Sequence, residues 1–227
     1  MEDTQHTSFF KGGFIAIHHD EILDVGVHAY AQYVDKDTRI IDGSNHIAVP
    51  SFIEVSPNIP KHCRQGAREL YEIFMRYMQN GTLTMYYDKS IQKNLLQDYH
   101  YEIVQNVTCQ KMPILYALKQ IKQSTSFDET VCISCADDAI SLQNQMMAAQ
   151  LLAMKEDIDA YHLLKALTTS PATYLNLQRY AKLKEGYIAN ILLLSTSDIH
   201  SFFYSLDQNR IAHIIHKGVR IFPNLLI

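Results

Sequence analysis

The stretch Val49-Pro-Ser-Phe-Ile-Glu-Val-Ser-Pro-Asn58 decides how the rest of the chain is read. Pro50 suits a strand start or boundary and not a helix interior, and the run from Phe52 to Val55 is short and apolar, as a buried strand is. Next comes Ala67–Gln79, with Leu70, Ile73, Phe74, Tyr77 and Met78 at three- and four-residue spacing, which predicts an amphipathic helix closed by Asn80-Gly81. Residues 82–87 then alternate and carry β-branched and aromatic side chains. Strand, helix, strand in this order is a βαβ unit, so a parallel sheet starts here.

Upstream, residues 13–18 and 22–27 read as a hairpin around His19-Asp20-Glu21, and residues 38–43 as a further short strand ending in Asp-Gly. Downstream, residues 88–107 are weakly patterned, with a helix around 91–96. Residues 113–121 predict a helix, 131–134 a buried strand, and 142–155, 160–169 and 171–176 three helices. Strands return at 189–194, 211–216 and 219–222, the first two separated by a loop. The order β, α/β, β lets the two ends of the chain share one small sheet unit beside a central α/β body.

Composition bounds the function. At 47% hydrophobic and 19% charged over 227 residues, the chain has the make-up of an ordinary globular protein. Its net charge of -4 and scattered Lys and Arg give no basic stripe for nucleic acid. No leader pattern and no membrane-length apolar run appear, so the expected location is the cytoplasm. The four cysteines are expected as reduced thiols, and Cys132-Ile-Ser-Cys135 lies in a buried strand, where packing outweighs a redox or metal role.

Three segments together carry a resemblance. Gly13-Phe-Ile-Ala-Ile-His-His-Asp-Glu-Ile-Leu-Asp-Val-Gly26, Arg39-Ile-Ile-Asp-Gly43 and Val49-Pro-Ser-Phe-Ile-Glu54 resemble the opening of the metal-dependent amidohydrolases. Ala166-Leu-Thr-Thr-Ser-Pro-Ala-Thr-Tyr-Leu-Asn-Leu177 with residues 183–194 is similar to their C-terminal pattern. Residues 209–218 are similar to the imidazolonepropionase branch in particular. The implied fold is α/β: an incomplete TIM-barrel-like metallo-dependent hydrolase body over residues 51–185, plus a small composite β-sandwich formed by both chain ends, residues 1–50 and 186–227.

The resemblance also implies a metal site, and the sequence departs from it. Where the family's first barrel strand ends in His-x-His, whose alternate imidazoles share one metal, this chain has Ser56 and Asn58, a hydroxyl and an amide that bind zinc or iron poorly. A full barrel takes about 250 residues, while the body here offers about 135, so central strands are expected to be missing. Asp137, or Asp138 if the register shifts by one, matches the aspartate of the last strand that binds metal and handles the proton of the attacking water. Without metal, an aspartate there reads as a helix N-cap. His18-His19 and His213/His216 are expected on opposite faces of their strands and so do not chelate.

The leading expectation is therefore an amidohydrolase-like protein without hydrolysis and without a cofactor. The competing one is a divergent C–N hydrolase or deaminase using zinc, iron or manganese at a site built from Asp137, Asp138, His62 and His100. A third is a small-molecule binding or regulatory module. Open strand edges left by the missing strands predict a homodimer, with 14 Tyr and 8 Met as interface material.

Overall fold

Phe14–His18 (β1) and Glu21–Gly26 (β2) pair antiparallel, with a bulge after Ala16, in a computed structural model that describes residues 11–60, 67–86, 102–104, 114–116, 131–135, 144–206 and 209–222. The turn places His19 at φ 55, outside the strand. The rings of His18 and His19 therefore come together, with centroids 4.0 Å apart, and do not point to opposite faces as strand alternation would require. The strand expected at 38–43 does not form. Ile40 is 69% exposed, and Asp42 turns the chain by accepting a hydrogen bond from the Ser44 backbone N–H.

Ile47–Pro50 (β3) joins a four-stranded antiparallel sheet with three strands from the other end of the chain, Ile191–Leu194 (β9), Ile211–His216 (β10) and Val219–Phe222 (β11), in the order β11-β10-β9-β3. β9 is buried on both faces, which accounts for its unbroken apolar run. Ile191 and Leu193 pack with Ile22, Ile215 and the inward residues of β1 and β2, while Leu192 and Leu194 enter the main core.

Phe52–Glu54 (β4), Ala67–Gln79 (α1) and Thr82–Tyr86 (β5) form the expected βαβ unit, and Glu102–Val104 (β6) extends the sheet in parallel. The apolar stripe of α1 is fully committed to the core. Gly81 ends the helix region at φ 88, and a Cβ there would lie 2.7 Å from Leu192 Cδ1, so both the backbone conformation and the close approach of β9 require glycine. Ile114–Tyr116 (β7) and Cys132–Ser134 (β8) make a second parallel pair. β7 lies inside the segment expected as a helix over 113–121. Its Ile-Leu-Tyr triplet suits a strand, and pairing with β8 overrides the local helical spacing. β6 and β7 supply two parallel strands between residues 87 and 131, in the part of the body where central strands are expected to be missing.

Gln145–Glu156 (α2), Ala160–Leu167 (α3) and Thr169–Tyr174 (α4) follow, the last beginning two residues before the expected start. Ile199–Phe203 (α5) occupies what read as a loop. Asp198 caps it, and Ile199, Phe202 and Phe203 are buried. Asn144 caps α2 by accepting the Met147 N–H at 2.9 Å. Asn144→Ala is expected to cost about 1 kcal/mol, read as a lower urea midpoint with unchanged slope. Among the described residues, no helix is long and apolar enough to cross a membrane.

Candidate functional site

β4 and β8 are each at one edge of a parallel sheet, and no backbone ladder joins them. Side chains bridge them instead. Gln145, at the start of α2, donates from Nε2 to the carbonyls of Ile53 (2.9 Å) and Ile133 (2.8 Å), one from each edge strand, and its Oε1 accepts from the Thr82 hydroxyl at 3.0 Å. Carbonyls that a ladder would have satisfied thus find a donor in a fully buried amide. Among the described residues, Gln145 thereby holds the β4 edge of one parallel sheet beside the β8 edge of the other.

At the C-terminal end of this seam sits Glu54, at 0% exposure. Its Oε1 accepts the Ser56 N–H (2.9 Å) and lies 2.5 Å from Ser134 Oγ, and its Oε2 accepts the Cys135 N–H at 3.0 Å. Ser134 Oγ is also 2.8 Å from the Ser56 carbonyl oxygen. Burial raises the Glu54 carboxyl above its ordinary range, against the lowering effect of these hydrogen bonds. Burial, with the Glu54 charge second, pushes the Cys132 thiol up to about 12 and the Cys135 thiol well above its usual range. Neither is in a disulfide, and both lie in the packed interior, without the electropositive, exposed setting of a reactive cysteine.

Ser56 and Asn58 follow β4 directly and are partly exposed. The Ser56 backbone is engaged by Glu54 and Ser134, and the Asn58 N–H donates to the Tyr77 hydroxyl at 2.9 Å. Asp137, Asp138, His62 and His100 lie outside the described residues, as do Cys63 and Cys109. Among the described residues, no group of three His, Cys, Asp or Glu is arranged to hold a metal ion. The donor set at the end of β4 does not suit one: a hydroxyl, a carboxamide, and a carboxyl whose oxygens are already taken by protein donors.

Sequence reading missed Glu54 and Gln145 as the organising groups. A signal for the first exists, since a carboxylate inside the apolar run Phe52 to Val55 must find buried partners. Gln145 carries no such local mark.

Comparisons with known proteins agree with this topology. A variant of the atrazine chlorohydrolase TrzN from Arthrobacter aurescens TC1, complexed with zinc and atraton, superposes with a TM-score of 0.61 at 12% identity, over 91% of this chain and 90% of that one. An adenosine deaminase from Xanthomonas campestris with bound zinc gives 0.65 at 9% identity, over 95% and 89%. N-isopropylammelide isopropylaminohydrolase from Burkholderia multivorans gives 0.59 at 10% identity, over 90% and 93%. At such identities the likeness is one of fold: the α/β metallo-dependent hydrolase barrel. No curated protein matches by sequence. The model of the amidohydrolase family matches residues 62–221. That match spans well over half of the sequence, and the chain therefore belongs to the amidohydrolase family.

Proposed function

We propose that this chain is an amidohydrolase scaffold, related to imidazolonepropionase, that has given up metal-dependent hydrolysis and serves interaction or regulation in the cytoplasm. The observation that carries the reading is the end of β4. Ser56 and Asn58 offer a hydroxyl and an amide where the family resemblance places two imidazoles, and the adjacent Glu54 is spent on Ser56, Ser134 and Cys135. The solved relatives include zinc-bound enzymes, which sets the activity to be tested.

In the same proposal, residues 1–50 and 186–227 act as one composite β-sandwich beside an incomplete barrel over residues 51–185. The apolar contact of β1 and β2 with β9 and β10 supports that division. Two copies associate as a homodimer, with apolar side chains exposed on the surface, such as Met154 and Tyr204, as contact material.

Elemental analysis of protein purified without an affinity tag, beside a chelator-dialysed sample, tests the central point. Zinc, iron and manganese are expected far below one ion per chain, with no turnover of an imidazolone-type cyclic amide. Near-stoichiometric metal, with turnover that chelation abolishes, would overturn the reading in favour of a hydrolase built on Asp137, Asp138, His62 and His100.

A further inference from the structure

The outer face of the β1–β2 hairpin carries a group of aromatic rings that the proposed function does not use. Ile15 and Val25 turn inward to pack with Ile22, so Phe14 and Asp24, one step along each strand, lie on the opposite face. Tyr30 precedes and Tyr33 ends a single turn of 3-10 helix, Ala31–Tyr33, closed by the Tyr33 N–H on the Tyr30 carbonyl. Residues three apart eclipse in such a turn, so both rings project towards Phe14, with centroids 6.0 Å and 5.6 Å from it. His28 stands edge to face against the same ring at 4.9 Å. Gly26 leaves room for it: the φ of this glycine is ordinary, yet a Cβ there would lie 2.5 Å from His28 Nδ1.

These rings are not sealed into a core. Tyr30 is 54% exposed, Phe14 and Tyr33 are half-buried, and the three line a wide groove open to solvent. A negative charge lies beside them. The Asp24 carboxyl is held below its ordinary range, chiefly by the Tyr33 hydroxyl, which donates to Oδ2 at 2.6 Å. Its ion-pair partner among the described residues is His28 at 3.1 Å, not a lysine or arginine. The charge of Glu185 also reaches Tyr33. Aromatic faces backed by a carboxylate attract a cation.

The hydrogen bonds select which kind. Oδ1 of Asp24 accepts the Val25 N–H, and Oδ2 accepts from Tyr33 and faces His28 Nε2, so three of the carboxylate's roughly four acceptor positions are taken. The site therefore offers charge and ring faces but little to receive N–H donors. A primary ammonium or a metal ion would lose hydration there without replacement, whereas a methylated ammonium has few or no N–H groups to satisfy.

We propose that Phe14, His28, Tyr30 and Tyr33 form an open aromatic cage, backed by Asp24, that binds the methylated ammonium group of a small organic cation. The cage is built on the hairpin and uses no residue at the end of β4, so it stands whichever way the metal analysis falls.

Choline and tetramethylammonium, titrated into protein with isotope-labelled tyrosine and phenylalanine rings, test the cage by NMR. Saturable shifts of the Phe14, Tyr30 and Tyr33 resonances are expected. The uncharged isostere of choline, with a tert-butyl group in place of trimethylammonium, should bind far more weakly. Tyr30→Leu should weaken choline about two- to fivefold, the worth of one exposed cation–π contact. Asp24→Asn, which can still accept from Tyr33, should weaken it about threefold or more and leave the isostere unchanged. A short trimethyllysine peptide separates a free cation from a protein-borne one: it should bind no tighter than choline, and much tighter binding would overturn the assignment to a small molecule. No saturable shift with either cation in the folded wild type, or equal binding of choline and its isostere, would overturn the cage itself.

Discussion

Gln145→Leu is expected to lower the stability of the protein by about 3–9 kcal/mol, since it strips the donor from two buried carbonyls and the acceptor from a buried hydroxyl at once, and each group left unsatisfied costs about 1–3 kcal/mol. Leucine has nearly the volume of glutamine, so packing at the start of α2 is preserved and the loss reports the hydrogen bonds to Ile53, Ile133 and Thr82. Thr82→Val removes one of these bonds and should cost far less. Urea unfolding of the three proteins makes the comparison. If Gln145→Leu unfolds within 1 kcal/mol of the wild type, the amide is not what holds β4 and β8 together.

Gly218→Ala should be as damaging, through a different cause. Lys217 (φ 48) and Gly218 (φ 76) form a two-residue turn with both residues left-handed, the geometry that follows the twist of β10 and β11. A Cβ on Gly218 would sit 1.8 Å from the backbone carbonyl oxygen of His19, so the tip of the β1–β2 hairpin blocks it. Backbone cannot swing aside as a side chain can. Either the turn distorts or the two hairpins part, which breaks the Gly218 N–H bond to Ala189 and uncovers Ile22 and Ile215. A loss of about 3 kcal/mol or more is expected from the combined strain and exposure. Gly43→Ala is the control, because no atom lies within 4 Å of a Cβ there and its φ is ordinary. Equal melting temperatures for the two variants would refute the steric argument.

Elements whose cause is local were legible in the sequence. The bounds of α1 follow from the spacing of Leu70, Ile73, Phe74, Tyr77 and Met78 and from the stop at Asn80-Gly81, and β10 and β11 follow from apolar runs on either side of Lys217-Gly218. Elements whose cause is a distant partner were not. Residues 114–116 form a strand because β8 lies alongside, although the segment around them has helical spacing. Residues 199–203 form a single capped turn of helix, because Phe202 and Phe203 reach the core. At the site, the family and the absence of imidazoles at Ser56 and Asn58 could be read directly. The roles of Glu54 and Gln145 could not, because their partners Ser134, Cys135 and Ile53 are some eighty to ninety residues away in sequence and follow no periodic pattern.

The pairing of Ile47 with Leu194 in the sheet shared by the two ends of the chain also sets an order of events during synthesis. β3 is made early, but its partner β9 emerges only after the whole α/β body has been translated, so closing this contact waits on a long loop. Until then β3 presents an unpaired edge and half of the apolar layer meant for β9. A ribosome stalled before residue 191 would hold a chain whose β1–β2 hairpin can fold but has nothing to cover. The last strands to be synthesised are therefore the ones that make the first strands permanent.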